Sequence, residues 1–119
     1  MKAKRLIVCA DDFGMAPGIN NAILELINIK RISAASCMTV MDHWPDGAIH
    51  LKKIDRNVQL GLHVTLTDHS CCGPMPDLAP DGALPPLANL FQRAVFRRLN
   101  FKELVEEIQH QLNLFCTHI

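Results

Sequence analysis

No part of this 119-residue chain approaches the run of about 18 apolar residues that a membrane-spanning helix needs. The N-terminal Met-Lys-Ala-Lys-Arg is followed only by Leu6 to Ala10 before two acidic residues intervene, too short for the apolar region of a secretory signal. Net charge is absent as well: twelve basic and twelve acidic residues cancel, so no global field draws the chain toward nucleic acid or anionic lipid. Five cysteines, Cys9, Cys37, Cys71, Cys72 and Cys116, are odd in number and contain no Cys-x-x-Cys pair, which excludes a disulfide framework and a structural zinc pattern. Reduced thiols are expected, with Cys9 and Cys37 as small buried hydrophobes. Internal repeats and low-complexity tracts are missing. These absences point to a soluble cytoplasmic protein whose partners are small molecules or protein surfaces.

A hydrophobic content of 49% with 20% charged residues can bury one core, so residues 1–119 read as one domain, or part of one. Leu6 to Ala10 is a short apolar run bounded by a turn signal, as in a parallel strand covered on both faces. From Pro17 the positions Ile19, Ala22, Ile23, Leu26 and Ile27 recur at helical spacing, and the helix is expected to end near Lys30-Arg31. Ile32 to Met41 predicts a second strand. Trp44-Pro45-Asp46 opens a second helix with Ala48, Ile49, Leu51 and Ile54 toward a core, and Val58 to Leu66 supplies a third strand. Strand, helix, strand, helix, strand is the order of a parallel α/β sheet.

Beyond Thr67 the pattern changes. Asp68 to Pro86 holds five of the seven prolines, which predicts a long loop. Helical spacing returns from Leu87 to Phe115 in two stripes, Leu90, Phe91, Ala94, Val95, Leu99 and then Leu104, Val105, Ile108, Leu112, Phe115. Asn100 with Glu103 reads as a capping pair. Thr117-His118-Ile119 reads as the opening of a fourth strand.

In a parallel sheet, ligands bind at the carboxyl ends of the strands. Asp11 and Asp12 follow the first strand and His63 sits near the end of the third, so these three form the natural cluster. Adjacent carboxylates can divide labour, one holding a cation and the other taking a proton from water that the cation has acidified. An imidazole beside them favours zinc or another transition metal. The bland alternatives are turn-forming aspartates and a histidine satisfied by one hydrogen bond. Asn20 and Asn21 read as caps, Ser36 and Thr39 as groups that satisfy the backbone, and His43 as a surface histidine. His69, Cys71 and Cys72 form a local cluster without the spacing of a structural zinc site. Asp12-Phe13-Gly14 spells the kinase metal-binding tripeptide, but no Gly-rich phosphate loop or His-Arg-Asp segment accompanies it.

Taken together, the stretch Leu6-Ile-Val-Cys-Ala-Asp-Asp-Phe-Gly-Met-Ala-Pro-Gly-Ile-Asn20, the run Ile32-Ser-Ala-Ala-Ser-Cys-Met38 and Gly61-Leu-His-Val-Thr-Leu-Thr67 resemble the YdjC-like carbohydrate deacetylase family. That family includes chitooligosaccharide deacetylases and the hopanoid-associated HpnK-like proteins, and the match is to its N-terminal portion. The resemblance implies the N-terminal part of a distorted (β/α) barrel and a metal-dependent hydrolase that removes N-acetyl groups from amino sugars or chitooligosaccharides. It further implies Asp12 and His63 as ligands of a divalent metal, Mg or Zn, Asp11 as general base, and the 68–86 loop as a border of the sugar site. In the family a histidine-rich strand completes the ligand set after a segment resembling Phe115–Ile119; the chain supplies no such strand, and His118 does not replace it. The alternative expectation is a noncatalytic truncated relative that forms a homo-oligomer through an exposed sheet edge.

Overall fold

Short apolar stretches separated by two amphipathic ones give the observed order β1 (Cys9–Phe13), α1 (Pro17–Asn28), β2 (Ala34–Cys37), α2 (Trp44–Leu51) and β3 (Gln59–Leu62). The structure, a computed structural model, describes residues 6–54 and 57–119. The basic N-terminal stretch Met1–Arg5 therefore lies outside the described residues. Backbone contacts gather into two units, one of residues 1–63 with 118–119 and the other of residues 64–117.

The first unit is a three-stranded parallel sheet in the order β1-β2-β3. β2 and β3 pair in continuous register from Ala34↔Gln59 to Cys37↔Leu62. β1 does not: Ala10 faces Ala35 and Phe13 faces Cys37, so three steps on β1 run against two on β2. This is a β-bulge, and Asp11 and Asp12 are the residues inside it. The strand thus runs later than the apolar run predicts. Leu6, Ile7 and Val8 are exposed, at 84%, 65% and 43%, while Phe13 is fully buried. Cys9 is also exposed, against the expectation of a small buried hydrophobe, whereas Cys37 is buried.

Phe13 anchors the core of this unit, meeting Trp44 of α2 edge to face at 6.5 Å. Ile23 and Ile27 of α1 and Ala48 and Leu51 of α2 are buried, but Ile49 is 55% exposed, because the short α2 turns it outward. Gly14 (φ 105°) lets the chain leave β1 so closely that a Cβ would stand 2.7 Å from the Met38 carbonyl oxygen. The buried Asn20 is not a helix cap: its Oδ1 accepts the Gly14 N–H at 2.6 Å and its Nδ2 donates to the His43 carbonyl at 3.1 Å. One amide thereby ties the turn after β1 to the turn before α2.

The second unit contains the proline-rich segment, α3 (Leu87–Val95) and most of α4 (Phe101–His118). Between Asp68 and Pro86 only two isolated bridges occur, Ser70↔Ala83 and Met75↔Ala79, as the prolines predict. The segment is packed nonetheless: Met75, Leu78, Ala79 and Leu84 form a buried cluster against which Cys71, Leu99 and Leu104 rest. No residue of α3 is buried, and Phe91 and Val95 are 68% and 61% exposed.

α4 departs most from its apolar spacing. Val105 and Leu112 are exposed, and the buried residues are Glu103, Glu107 and Gln111. Glu103 accepts the N–H groups of Asp77 (3.0 Å) and Leu78 (2.9 Å), and Glu107 those of Cys72 (2.8 Å) and Gly73 (3.3 Å). Gln111 takes the Thr65 N–H at 2.9 Å and donates to the Thr65 carbonyl and to Glu107 Oε1. A segment with so little regular structure leaves main-chain donors unsatisfied, and this polar row satisfies them. Asn100 caps as its pairing with Glu103 predicts, its Oδ1 accepting the Glu103 N–H at 3.3 Å. The predicted fourth strand at Thr117–Ile119 is instead the last turn of α4, which carries helical hydrogen bonding through His118.

Candidate active site at the carboxyl ends of the strands

The bulge decides where the two carboxylates go. In a regular ladder Asp11 and Asp12 alternate between the faces of the sheet. Here both lie across from Ser36, and Asp12 takes a left-handed backbone at φ 68°, a conformation that Asp tolerates better than most residues. Ser36 pairs with Gly61, and His63, two residues further on, shares Gly61's side of the sheet. The His63 N–H donates to the Cys37 carbonyl at 2.8 Å, continuing the ladder past the end of β3.

These placements bring the three sequence-predicted residues together. His63 Nδ1 stands 3.3 Å from Asp12 Oδ1, with the two side chains 34% and 44% exposed. The Ser36 hydroxyl donates to Asp11 Oδ1 at 2.6 Å and lies 3.1 Å from His63 Nδ1. One serine oxygen thus links the first carboxylate to the imidazole. The sequence marks Ser36 only as a group that satisfies the backbone, because its place opposite the acidic doublet depends on the bulge in β1 and not on any spacing of residue types.

Among the described residues no group of three or more His, Cys, Asp or Glu side chains could hold a metal ion. Asp12 and His63 nevertheless fit as two members of a ligand set. Two ligands about 2.0–2.2 Å from one ion stand roughly 3.0–3.5 Å apart, which is the separation seen here, and a carboxylate with an imidazole suits zinc or a similar divalent ion.

The other candidates fall elsewhere. His43 flanks the start of α2 and works through its carbonyl, which accepts from Asn20 and from the Gly47 N–H. All five cysteines are free thiols. Burial pushes Cys37 up to about 12, aided by neighbouring Cys9. Cys72 is also pushed up to about 12, by desolvation of its sulfur first and by the Glu107 carboxylate second. Thiols held protonated in this way are poor nucleophiles at neutral pH.

A model of the YdjC-like protein family matches residues 5–118. The chain belongs to the YdjC-like family. It is 34% identical to a chitooligosaccharide deacetylase of Serratia marcescens, over 96% of this chain and 44% of that protein. A crystal structure of an Enterococcus faecalis V583 protein named for cellobiose-phosphate cleavage superposes with a TM-score of 0.79 at 21% identity, over 98% of this chain and 45% of that one. This likeness carries the fold, an α/β arrangement with parallel strands. The chain spans under half the length of either relative. No helix among the described residues is long and apolar enough to cross a membrane.

Proposed function

We propose that this YdjC-like chain carries the part of a carbohydrate deacetylase site that grips a divalent metal, Mg or Zn, and removes N-acetyl groups from amino sugars or chitooligosaccharides in the cytoplasm. The observation that carries the reading is the 3.3 Å approach of Asp12 and His63 beside a second carboxylate, all at the carboxyl ends of parallel strands. The deacetylase name of the 34% identical relative supports the substrate class.

Asp12 and His63 would hold the cation. When bound, such an ion polarises the amide carbonyl and lowers the pKa of a coordinated water. Asp11 is the general base: its Oδ1 is engaged by the Ser36 hydroxyl, so its other oxygen accepts the proton from water. The bulge keeps base and ligand on adjacent residues yet pointed into one place, which a flat strand does not allow. Incubating the chain with Zn2+ or Mg2+ and an N-acetylated chitooligosaccharide tests this directly. Acetate release that D11N and H63A each reduce at least about a hundredfold supports the assignment, since general acid–base catalysis alone contributes roughly that much. No release from the chain under any metal sinks it for this polypeptide.

A second reading has its own observation. β1 and β3 are the outer strands of the sheet among the described residues, and exposed Leu6, Ile7 and Val8 lead into one of them. Edge strands of this kind pair readily with another chain, so the alternative is a noncatalytic homo-oligomer. Light scattering on the eluting protein separates the two: an assembly indifferent to chelator and silent in the acetate assay favours it, and a monomer removes it.

A further inference from the structure

Beside α3 the second unit holds a cavity of about 560 Å³, lined by Asp77, Asn89, Gln92, Arg93, Phe96 and Arg98. That is the size of a small-molecule pocket. We propose that it binds a small organic anion, a carboxylate or phosphate monoester whose charged head is held by Arg93 and Arg98 while its body lies against the Phe96 ring. The inference goes beyond the metal reading and uses none of its residues.

Uncommitted hydrogen-bond donors dominate the lining. A guanidinium offers five N–H groups and accepts nothing. On Arg93 two are engaged: Nε donates to Asn89 Oδ1 at 2.9 Å and Nη1 to the Asp77 carbonyl at 3.0 Å. These contacts fix the plane of the group and leave its other N–H groups to a ligand. The Arg98 guanidinium has no hydrogen bond or ion pair to any described residue. Asn89, its oxygen engaged by Arg93, adds its NH2 group. Against these donors stand one carboxylate, Asp77, 3.7 Å from Arg93 Nη1, and the Gln92 amide, which serves either way. Two cations against one anion leave the lining positive, so the complementary ligand is an anion with several acceptor oxygens. Phe96, 62% exposed, gives such a ligand an apolar wall.

Basic residues near a helix C-terminus commonly answer its macrodipole. Arg93 does not: Asn89 lies one turn toward the start of α3 and Asp77 lies outside the helix, so the guanidinium is drawn away from the last carbonyls. Arg98 donates to no helix carbonyl of the described residues.

Phenyl phosphate and benzoate are the probes, each a ring with one of the two anionic heads, and benzyl alcohol is the neutral comparison. Titration is followed on the backbone amide NMR signals of the chain. The wild type is expected to bind at least one of the two anions, with shifts centred on residues 89–98, and the tighter of the two names the head. R98A, whose guanidinium has no partner to lose, is expected to bind about tenfold or more weakly, as loss of charge-assisted hydrogen bonds implies. Arg97 does not line the cavity, and R97N, which suits the left-handed backbone there, is expected to stay within about twofold of wild type. Absence of binding to both anions overturns the inference, as does wild-type affinity in R98A. Equal weakening in R97N and R98A also overturns it, since the attraction is then to surface charge at large. Benzyl alcohol bound as tightly as the anions overturns the charged ligand.

Discussion

At Gly14 a single added methyl group would collide with the Met38 carbonyl oxygen on a backbone that L residues rarely adopt. G14A is expected to lower the free energy of unfolding by about 1–3 kcal/mol, measured by urea denaturation, because strain and overlap act together. At the neighbouring Asp12 the left-handed backbone is instead carried by a residue type that tolerates it, in a place where its carboxylate comes within 3.3 Å of His63 Nδ1. The acidic doublet and His63 were legible in the sequence because strand ends in a parallel sheet converge and the motifs mark those ends. Ser36 was not. Its part depends on β1 having one residue more than β2 between two pairings, and a register of that kind leaves no mark on composition or periodicity.

Helix α4 shows why an apolar stripe does not always find the buried side of a helix. Its hydrophobic spacing points to Leu104, Val105, Ile108, Leu112 and Phe115, yet the fully covered positions are Glu103, Glu107 and Gln111. These three also recur every fourth residue, so the helical period was readable; which face wins is set by the partner. That partner is backbone, from a segment whose prolines and lack of strands leave N–H groups in need of acceptors. E107A leaves the Cys72 and Gly73 donors without their acceptor and is expected to cost about 2 kcal/mol or more, whereas V105A, on the exposed side, should change stability by about 0.5 kcal/mol or less. Urea titration of the two variants beside the wild type checks the contrast, which is the reverse of what a hydrophobic stripe implies.

For the molecule as a whole, the βαβαβ order, the parallel pairing and both interstrand helices follow from the alternation of apolar and amphipathic stretches, and the family follows from three motifs in their order. Strand limits did not follow, because Leu6 to Val8 is as apolar as any strand but paired register begins only at Cys9, with the Val8 carbonyl accepting the Ser33 and Ala34 N–H groups at its edge. Thr117 and His118 likewise continue a helix, since β-branched composition over three residues is too weak to end one that is already propagating. Whole-chain stability carries a pH signature. Cys37 and Cys72 stay protonated in the folded protein up to about 12, while in the unfolded chain a thiol ionises near about 8.5. Unfolding above that value releases protons, so stability is level through neutral pH and declines as pH rises toward about 12. Urea midpoints at several alkaline pH values should show this decline, with a shallower slope in C37A.

The row of Glu103, Glu107 and Gln111 grips amide groups and is therefore blind to what most side chains at the gripped positions are. The Cys72 thiol itself also meets the Glu107 carboxylate, whereas Asp77 can change its side chain without loosening the hold. The replacement it cannot absorb is an imino acid, which arrives with no hydrogen to offer. In a stretch already crowded with prolines, those two places are where one more would do the greatest harm.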